Sequence, residues 1–401
     1  MHLYLHVPFC RKKCAYCGFA SAPPGPGEMT AYVRAVIQEM EHRAPQIEGR
    51  RVQTVFMGGG TPSLLSVSHL GQILEAAGSC FALSADAEIT VEANPDSVHN
   101  PDQVRAWKKL GVTRISLGIQ SLDQEILRFL GRTHTPQQAR GAVQCLDQAG
   151  MDNFSLDLIW GIPGQDLRLW LGTLQEAVAW NPAHLSLYSL SIESGTPLAA
   201  LEAGSGRVPG YGLDLPQEET SSCSPQKERK RKYVQRDKEL QWPDEDTWAD
   251  MFVQGRELLI QAGFEHYEIS NYARPGRKCR HNSGIWRGED YMGLGPAAVS
   301  TMDGVRRQNP ESLVDYVRML DHGHPLPDEE VLSQRTRDWE KAMLGLRTNQ
   351  GVDLTKAAYG VDRRFVCQLE EAGLLEMQNG RLGLTPRGML VSNEILARML
   401  S

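Results

Sequence analysis

No apolar stretch in this sequence approaches the roughly 20 residues that a helical membrane span needs, which excludes a transmembrane segment of that kind. The opening residues, Met1-His2-Leu3-Tyr4-Leu5-His6-Val7, lack the charged lead and the length of a secretory signal. Basic residues are not in excess: 42 Lys and Arg against 49 Asp and Glu give a net charge of -7. That balance argues against a general nucleic-acid binder. A disulfide framework is missing too. Of the 8 cysteines, Cys80, Cys145, Cys223, Cys279 and Cys367 are widely scattered, as in a reducing compartment where thiols are kept for a metal. These absences describe a cytoplasmic protein. Its 401 residues allow two or three domains, each able to bury a core.

The other three cysteines share one short loop, His6-Val7-Pro8-Phe9-Cys10-Arg11-Lys12-Lys13-Cys14-Ala15-Tyr16-Cys17. A cubane iron–sulfur cluster usually takes four thiolates. Cys10, Cys14 and Cys17 supply three, which would leave one iron open to a non-protein ligand. Arg11, Lys12 and Lys13 add positive charge that favours thiolates and an anionic cluster. From the loop alone a zinc knob also stands, with His6 or a distant cysteine as fourth ligand.

Along the chain, β-rich runs alternate with stretches of helical apolar spacing, the pattern of βα units around a parallel sheet. Strands are predicted at Leu3–His6, Thr54–Met57, Glu88–Glu92, Arg114–Leu117, Phe154–Ile159 and Leu185–Leu190, with helices at Met29–Glu48, Leu65–Ala77, Pro101–Leu110 and Leu167–Trp180. Six such units make an α/β fold, an incomplete (β/α)6 barrel spanning residues 1–203. In such barrels chemistry collects at the C-terminal ends of the strands, and the unusual residues fall there. The cysteine loop follows the first strand and glycines the second; Glu92 ends the third, Gln120 lies just past the fourth, and Asp157 is on the fifth.

Residues 204–241 are polar and rich in Pro, Gly and Ser, and they contain the basic run Lys227-Glu228-Arg229-Lys230-Arg231-Lys232. Without interleaved aromatics this reads as a solvated flexible insertion rather than a nucleic-acid patch. An acidic helix start at Pro243-Asp244-Glu245-Asp246 opens a linking region, 242–337. From 338 to 401 two helical stretches, Trp339–Arg347 and Phe365–Ala372, precede a short hairpin, a winged-helix-like α+β unit. Partner docking or packing is its expected role, since fold alone does not give function.

Met57-Gly58-Gly59-Gly60-Thr61-Pro62 follows a strand directly, and its glycines let backbone approach a ligand closely. Glu92 could accept ribose hydroxyls, as acidic residues do in other nucleotide sites. Asp157 is a charged group inside an apolar strand and should be paired or ligand-bound. Arg132 is a natural partner for it or for another carboxylate.

These motifs together resemble the radical S-adenosylmethionine (SAM) superfamily, in which SAM fills the open iron. More narrowly, the chain resembles the oxygen-independent coproporphyrinogen III oxidase-like group, from about Leu3 to the C-terminus outside the insertion. The phrases that carry the resemblance are Gly58-Gly59-Gly60-Thr61-Pro62-Ser63-Leu64-Leu65, Glu92-Ala93-Asn94-Pro95, Ser116-Leu117-Gly118-Ile119-Gln120-Ser121 and Tyr267-Glu268-Ile269-Ser270-Asn271-Tyr272-Ala273. The resemblance implies a [4Fe-4S] cluster on Cys10, Cys14 and Cys17. It implies cofactor contacts from Tyr4, Tyr16, Gly59, Gly60, Thr61, Glu92, Gln120, Arg132 and Asp157.

Two branches of the group differ at the loop. The oxidase branch carries a fourth cysteine two residues past the third, where this chain has Phe19, and a long N-terminal extension, where this chain begins nine residues before Cys10. Both features resemble instead the haem-chaperone, HemW-like branch. Its His-Asn-x-x-Tyr-Trp motif stands here as His281-Asn282-Ser283-Gly284-Ile285-Trp286, with isoleucine for tyrosine; Val299 replaces a usual histidine. The resemblance makes His281 the candidate haem contact, with Cys279 a second soft ligand that no motif supports. It also implies a haem-acceptor protein and an electron donor such as flavodoxin or ferredoxin, and no catalytic residue is assigned. Two alternatives remain: radical oxidative decarboxylation of coproporphyrinogen III, and radical chemistry on another substrate.

Replacing 204–241 by a short Gly/Ser linker should leave iron content and melting temperature nearly unchanged. A large drop in either would mean that the segment packs onto the barrel.

Overall fold

The computed structural model describes residues 1–200, 241–321, 329–353 and 363–399, so the expected insertion lies, apart from Gln241, outside the described residues. The six predicted strands are all present: β1 His2–Val7, β2 Val52–Gly59, β3 Leu83–Ala93, β4 Arg114–Gln120, β5 Phe154–Trp160 and β6 His184–Ser189. They pair in parallel in chain order. Each crossover carries helix: α1 Glu28–Arg43, α2 Val67–Cys80, α3 Pro101–Lys109, α4 Gln124–Phe129, α5 Pro136–Gln148 and α6 Leu167–Ala179. Side-chain oxygens of Ser66, Asn100, Asp123, Thr135 and Asp166 accept backbone N–H groups at the starts of α2 to α6, which satisfies donors the helix leaves open.

Alternation along the strands explains the layering. Leu3, Leu5, Val7, Val55, Met57, Val91, Ile115, Leu117, Leu156 and Leu185 join one core with Tyr32, Val36, Leu70, Trp107, Leu146 and Trp170 of the helices. The opposite face is polar and turns inward: His2, Tyr4 and His6 on β1, Thr54 on β2, Glu88, Thr90 and Glu92 on β3, Arg114 and Ser116 on β4, Ser155 and Asp157 on β5. A barrel wall with a dry outside and a hydrogen-bonded inside results.

The linking region holds more structure than its sequence announces. After α7 (Glu245–Gln261), β7 (Glu265–His266) and β8 (Asn271–Ala273) extend the sheet beyond β6, with β8 antiparallel to it. Past α8 (Arg280–Trp286), β9 (Tyr291–Leu294) runs parallel to β1 on the other edge. There β10 (Val299–Met302), β11 (Val305–Gln308) and β12 (Glu329–Val331) follow as an antiparallel meander. The sheet is open, with β12 and β7 at its edges. These added strands are two to four residues long, too short for a period-2 pattern to show.

At the C-terminal end, α10 (Gln334–Leu346) follows α9 (Leu313–Asp321). Then come α11 (Arg363–Glu371) and the hairpin β13 (Leu375–Gln378) and β14 (Arg381–Leu384), followed by two short helices. Asn379 and Gly380 both have positive φ, 51° and 76°, the conformation that a two-residue Asn-Gly hairpin turn demands. This unit has its own core, built on Leu346, Val366, Leu369, Leu382 and Ile395.

One buried ion pair ties α1 to the added strands. Arg43 Nη1 donates to Glu39 Oε1 at 3.2 Å and to the Gly293 carbonyl at 2.8 Å, while Nη2 reaches Ser300 Oγ at 3.0 Å. The Tyr316 hydroxyl donates to Glu39 at 2.6 Å, and Asn309 Nδ2 does so at 2.9 Å. Arg43→Ala would leave a buried carboxylate without its cation, a loss of about 3–5 kcal/mol. A thermal or denaturant melt should show it, and an unchanged midpoint would mean that the β9–β10 edge is held by packing alone.

Candidate cofactor site at the C-terminal rim

The cysteine loop leaves β1 through Pro8 and returns beside it. Cys10 N–H donates to the Ala22 carbonyl and Ala22 N–H to the Pro8 carbonyl, both at 3.0 Å. Ala15 N–H reaches the Leu130 carbonyl, also at 3.0 Å, which pins the loop to the end of α4. Cys10, Cys14 and Cys17 are free and half-buried. Burial pushes the Cys17 thiol up, and the nearby Cys14 and Cys10 push the same way, while a backbone N–H and Lys13 oppose them. Among the described residues no three His, Cys, Asp or Glu side chains form a group that could hold a metal ion as they stand.

The glycine edge of β2 is stitched to this loop. Gly60 N–H donates to the Val7 carbonyl at 2.8 Å and Thr61 N–H to the Phe9 carbonyl at 2.7 Å. A Cβ on Gly60 would stand 2.5 Å from the Phe9 oxygen, and Gly59 has φ +97° with its Cβ position against His6. Only glycine allows both the approach and the turn. From Thr61 a polar chain runs across the rim. Asn94 Nδ2 donates to Thr61 Oγ1 at 2.9 Å, and Cys10 Sγ lies 3.5 Å from the same oxygen. Arg132 Nη2 donates to Asn94 Oδ1 at 2.5 Å and to the Gly118 carbonyl at 2.7 Å, while Nη1 reaches Cys14 Sγ at 3.5 Å. Arg132 Nε is buried with no partner among the described residues. Asn94 is a site residue that sequence reasoning passed over; its signal was its place two residues after Glu92.

Glu92 accepts the Gly59 N–H at 3.2 Å. Burial, and then the nearby Asp157, push its carboxyl up to about 8. Asp157 is held by Ser116 Oγ at 2.9 Å and Ser155 Oγ at 3.2 Å, and burial pushes it up against those bonds. Its partners are therefore serines, whereas Arg132 spends its fork on Asn94, Gly118 and Cys14. The expected pairing of Arg132 with Asp157 does not form. Gln120 closes β4 with φ +60°, at a register shift against β5. Tyr16 packs with Ile126, Leu130, Ile159 and Ile162, near enough to Arg132 to feel its charge. The Tyr4 hydroxyl donates to His6 Nδ1 at 3.2 Å, and its ring stacks on Phe56.

His6 donates from Nε2 to the Ala20 carbonyl at 2.9 Å, so both ring nitrogens are engaged. Cys279 lies at the start of α8, buried against Glu88 of β3. Neither stands ready as a fourth ligand to the loop. Three thiols beside an arginine, next to a glycine cradle with an unpaired guanidinium nitrogen, suit an anionic cluster with a polar ligand above it.

His281 sits elsewhere, at the opposite end of the barrel. Its backbone N–H donates to Glu88 Oε1 at 3.0 Å, and Nδ1 meets Thr54 Oγ1 at 2.8 Å. Its ring stacks on Phe56 at 4.9 Å. Burial, with a smaller push from His2, lowers its imidazole to about 3, so it is neutral at any physiological pH. Around it lies a polar layer that sequence reasoning missed: His2 bridges Thr54 and Glu289, and Ser155, His184 and Tyr267 form a chain with 2.8 Å links.

Residues 4–177 match the Radical SAM superfamily, and residues 332–391 match the HemN C-terminal domain. The chain is 34% identical to a Synechocystis protein called Heme chaperone HemW, over 99% of this chain and 96% of that one. It is 38% identical to Heme chaperone HemW of Escherichia coli, over 74% of this chain and 69% of that one. Bovine radical S-adenosyl methionine domain-containing protein 1, mitochondrial, is 33% identical over 100% of this chain and 87% of its own length. Coproporphyrinogen III oxidase (HemN) from Escherichia coli, a solved radical SAM enzyme, shares the fold. It aligns with a TM-score of 0.79 at 22% identity, over 99% of this chain and 89% of its own.

Glu92 makes the stability of the ligand-free protein depend on pH. Its folded pKa of about 8 lies above its ordinary value of 4.5, so between those values the native state binds the extra proton. Stability should then fall as pH rises through that window. Glu92→Gln should flatten this trend, with melting temperatures close to wild type near pH 5 and higher than wild type near pH 8. Parallel wild-type and variant curves would show that the carboxyl is not desolvated.

Proposed function

This chain belongs to the radical SAM superfamily and, within it, to the HemW family; from that membership we propose that it is a haem chaperone of the cytoplasm. It binds haem and passes it to an acceptor protein, and a flavodoxin- or ferredoxin-like donor reduces its cluster. Cys10, Cys14 and Cys17 hold one [4Fe-4S] cluster, and the glycine edge with its neighbours holds SAM. When bound, the cluster would supply single electrons and a coordination position open to a polar ligand such as SAM.

The protein's own groups suit these tasks. Arg132 brings a fixed positive charge against Cys14 and favours its thiolate. Gly59, Gly60 and Thr61 present backbone and hydroxyl without a Cβ in the way. The two oxygens of the Glu92 carboxyl can accept from both ribose hydroxyls. Tyr4, Tyr16, Gln120 and Asp157 close the sides. His281 offers a neutral imidazole toward the barrel interior, the protonation state that iron ligation requires.

The observation that carries the chaperone reading over the oxidase is Phe19. It stands where the oxidase branch has its fourth cysteine, and 62% of it is exposed. Anaerobic reconstitution followed by haem titration and a coproporphyrinogen turnover assay on one sample tests the reading. Haem should bind in the micromolar range or tighter, about -8 kcal/mol, with no porphyrinogen product. His281→Ala should weaken haem binding and spare the cluster chromophore; Cys14→Ala should abolish the chromophore. Protoporphyrinogen formed by the reduced protein would establish the oxidase reading instead.

A further inference from the structure

Helix α8 has two working faces. His281 points into the barrel, whereas Ser283, Trp286 and Arg287 line a cleft of about 460 Å³ on its far side. The opposite wall belongs to the C-terminal unit: Lys341 and Gly345 of α10, residues 348–353, and Arg381 of β14. Lys278 and Tyr267 close one side. No group assigned so far uses this cleft.

Its chemistry is one-sided. Four cations line it against a single carboxylate, Asp353. Lys278 is paired with Glu265 at 2.9 Å and Arg287 with Glu289 at 2.6 Å. Lys341 has no ion pair among the described residues. Arg381 has none either; it donates from Nε to the Gln350 carbonyl at 2.6 Å and from Nη2 to the Gly351 carbonyl at 2.8 Å. Those two bonds hold the guanidinium in place while leaving its charge uncompensated. Two cations without an acidic partner, in a cleft whose described lining carries one carboxylate, call for an occupant that bears negative charge.

We propose that the cleft between α8 and the C-terminal unit is a second ligand site, which binds a small polyanion bearing carboxylate or phosphate groups. Lys341 and Arg381 supply its charge recognition. The proposal stands apart from the haem reading, because it uses the face of α8 that His281 does not. Its occupant would grip the C-terminal unit and the helix that carries His281 at once, so binding there bears on the barrel floor.

Calorimetric titration of the reconstituted full chain with pyrophosphate and, separately, with tricarballylate tests this. At least one probe should bind, and about a fourfold rise in ionic strength should weaken it, as screening requires. Lys341→Glu should lower the affinity for that probe at least tenfold, and Arg381→Gln should do so independently. Both side chains are exposed, so melting temperature and cluster absorbance should match wild type. Binding of pyrophosphate alone assigns a phosphate ligand and of tricarballylate alone a carboxylate ligand. No binding of either probe, or equal affinity in both variants, would overturn the site.

Discussion

The inward face of the six parallel strands is buried and yet polar, and the rest of the molecule follows from that constraint. A buried polar group without a partner is costly, so each inward side chain must find a neighbour. The strands meet most of this demand by register, with Thr90 Oγ1 and Arg114 Nη2 left without partners among the described residues. Ser116 faces Ser155 across β4 and β5, which brings both hydroxyls to Asp157. His2 faces Thr54 across β1 and β2, which sets up the contact with His281. A one-residue slip would turn these groups into the apolar layer under the helices.

The two ends of the barrel answer the constraint differently. At the C-terminal rim the polar chain Cys10, Thr61, Asn94, Arg132 and Cys14 leaves capacity unspent, above all on Arg132 Nε. At the N-terminal end, α8 and its flanking loops insert Cys279 and His281 beneath the strands and spend Glu88 on their backbone and thiol groups. An open end and a plugged end are what a site for an added cofactor needs: one mouth for the ligand, one floor that keeps water out.

Desolvation also sets the charge states. It raises Glu92 and Asp157 and lowers His2, His6, His184 and His281. Without a ligand, the interior thus favours neutral forms of both acids and bases. The positive charge that survives belongs to arginine, which does not give up its proton, and Arg132 brings it to the thiol loop.

Much of this was legible in the residue order. The six strands follow from β-rich runs between helical spacings, and the cysteine loop and Gly58-Gly59-Gly60 announce themselves because their spacing and lack of side chains are local properties. The Asn379-Gly380 turn is local in the same way. Residue order alone thus sets the repeating units and the candidate groups on the rim. Partners were chosen by the three-dimensional packing. It gave Arg132 to Asn94 and Cys14 instead of Asp157, sent the 265–308 strands to both edges of the sheet, and carried His281 to the floor of the barrel. Such choices depend on which strands lie side by side and how deeply each group is buried. Both are set by contacts between residues far apart in the chain, which no local pattern encodes.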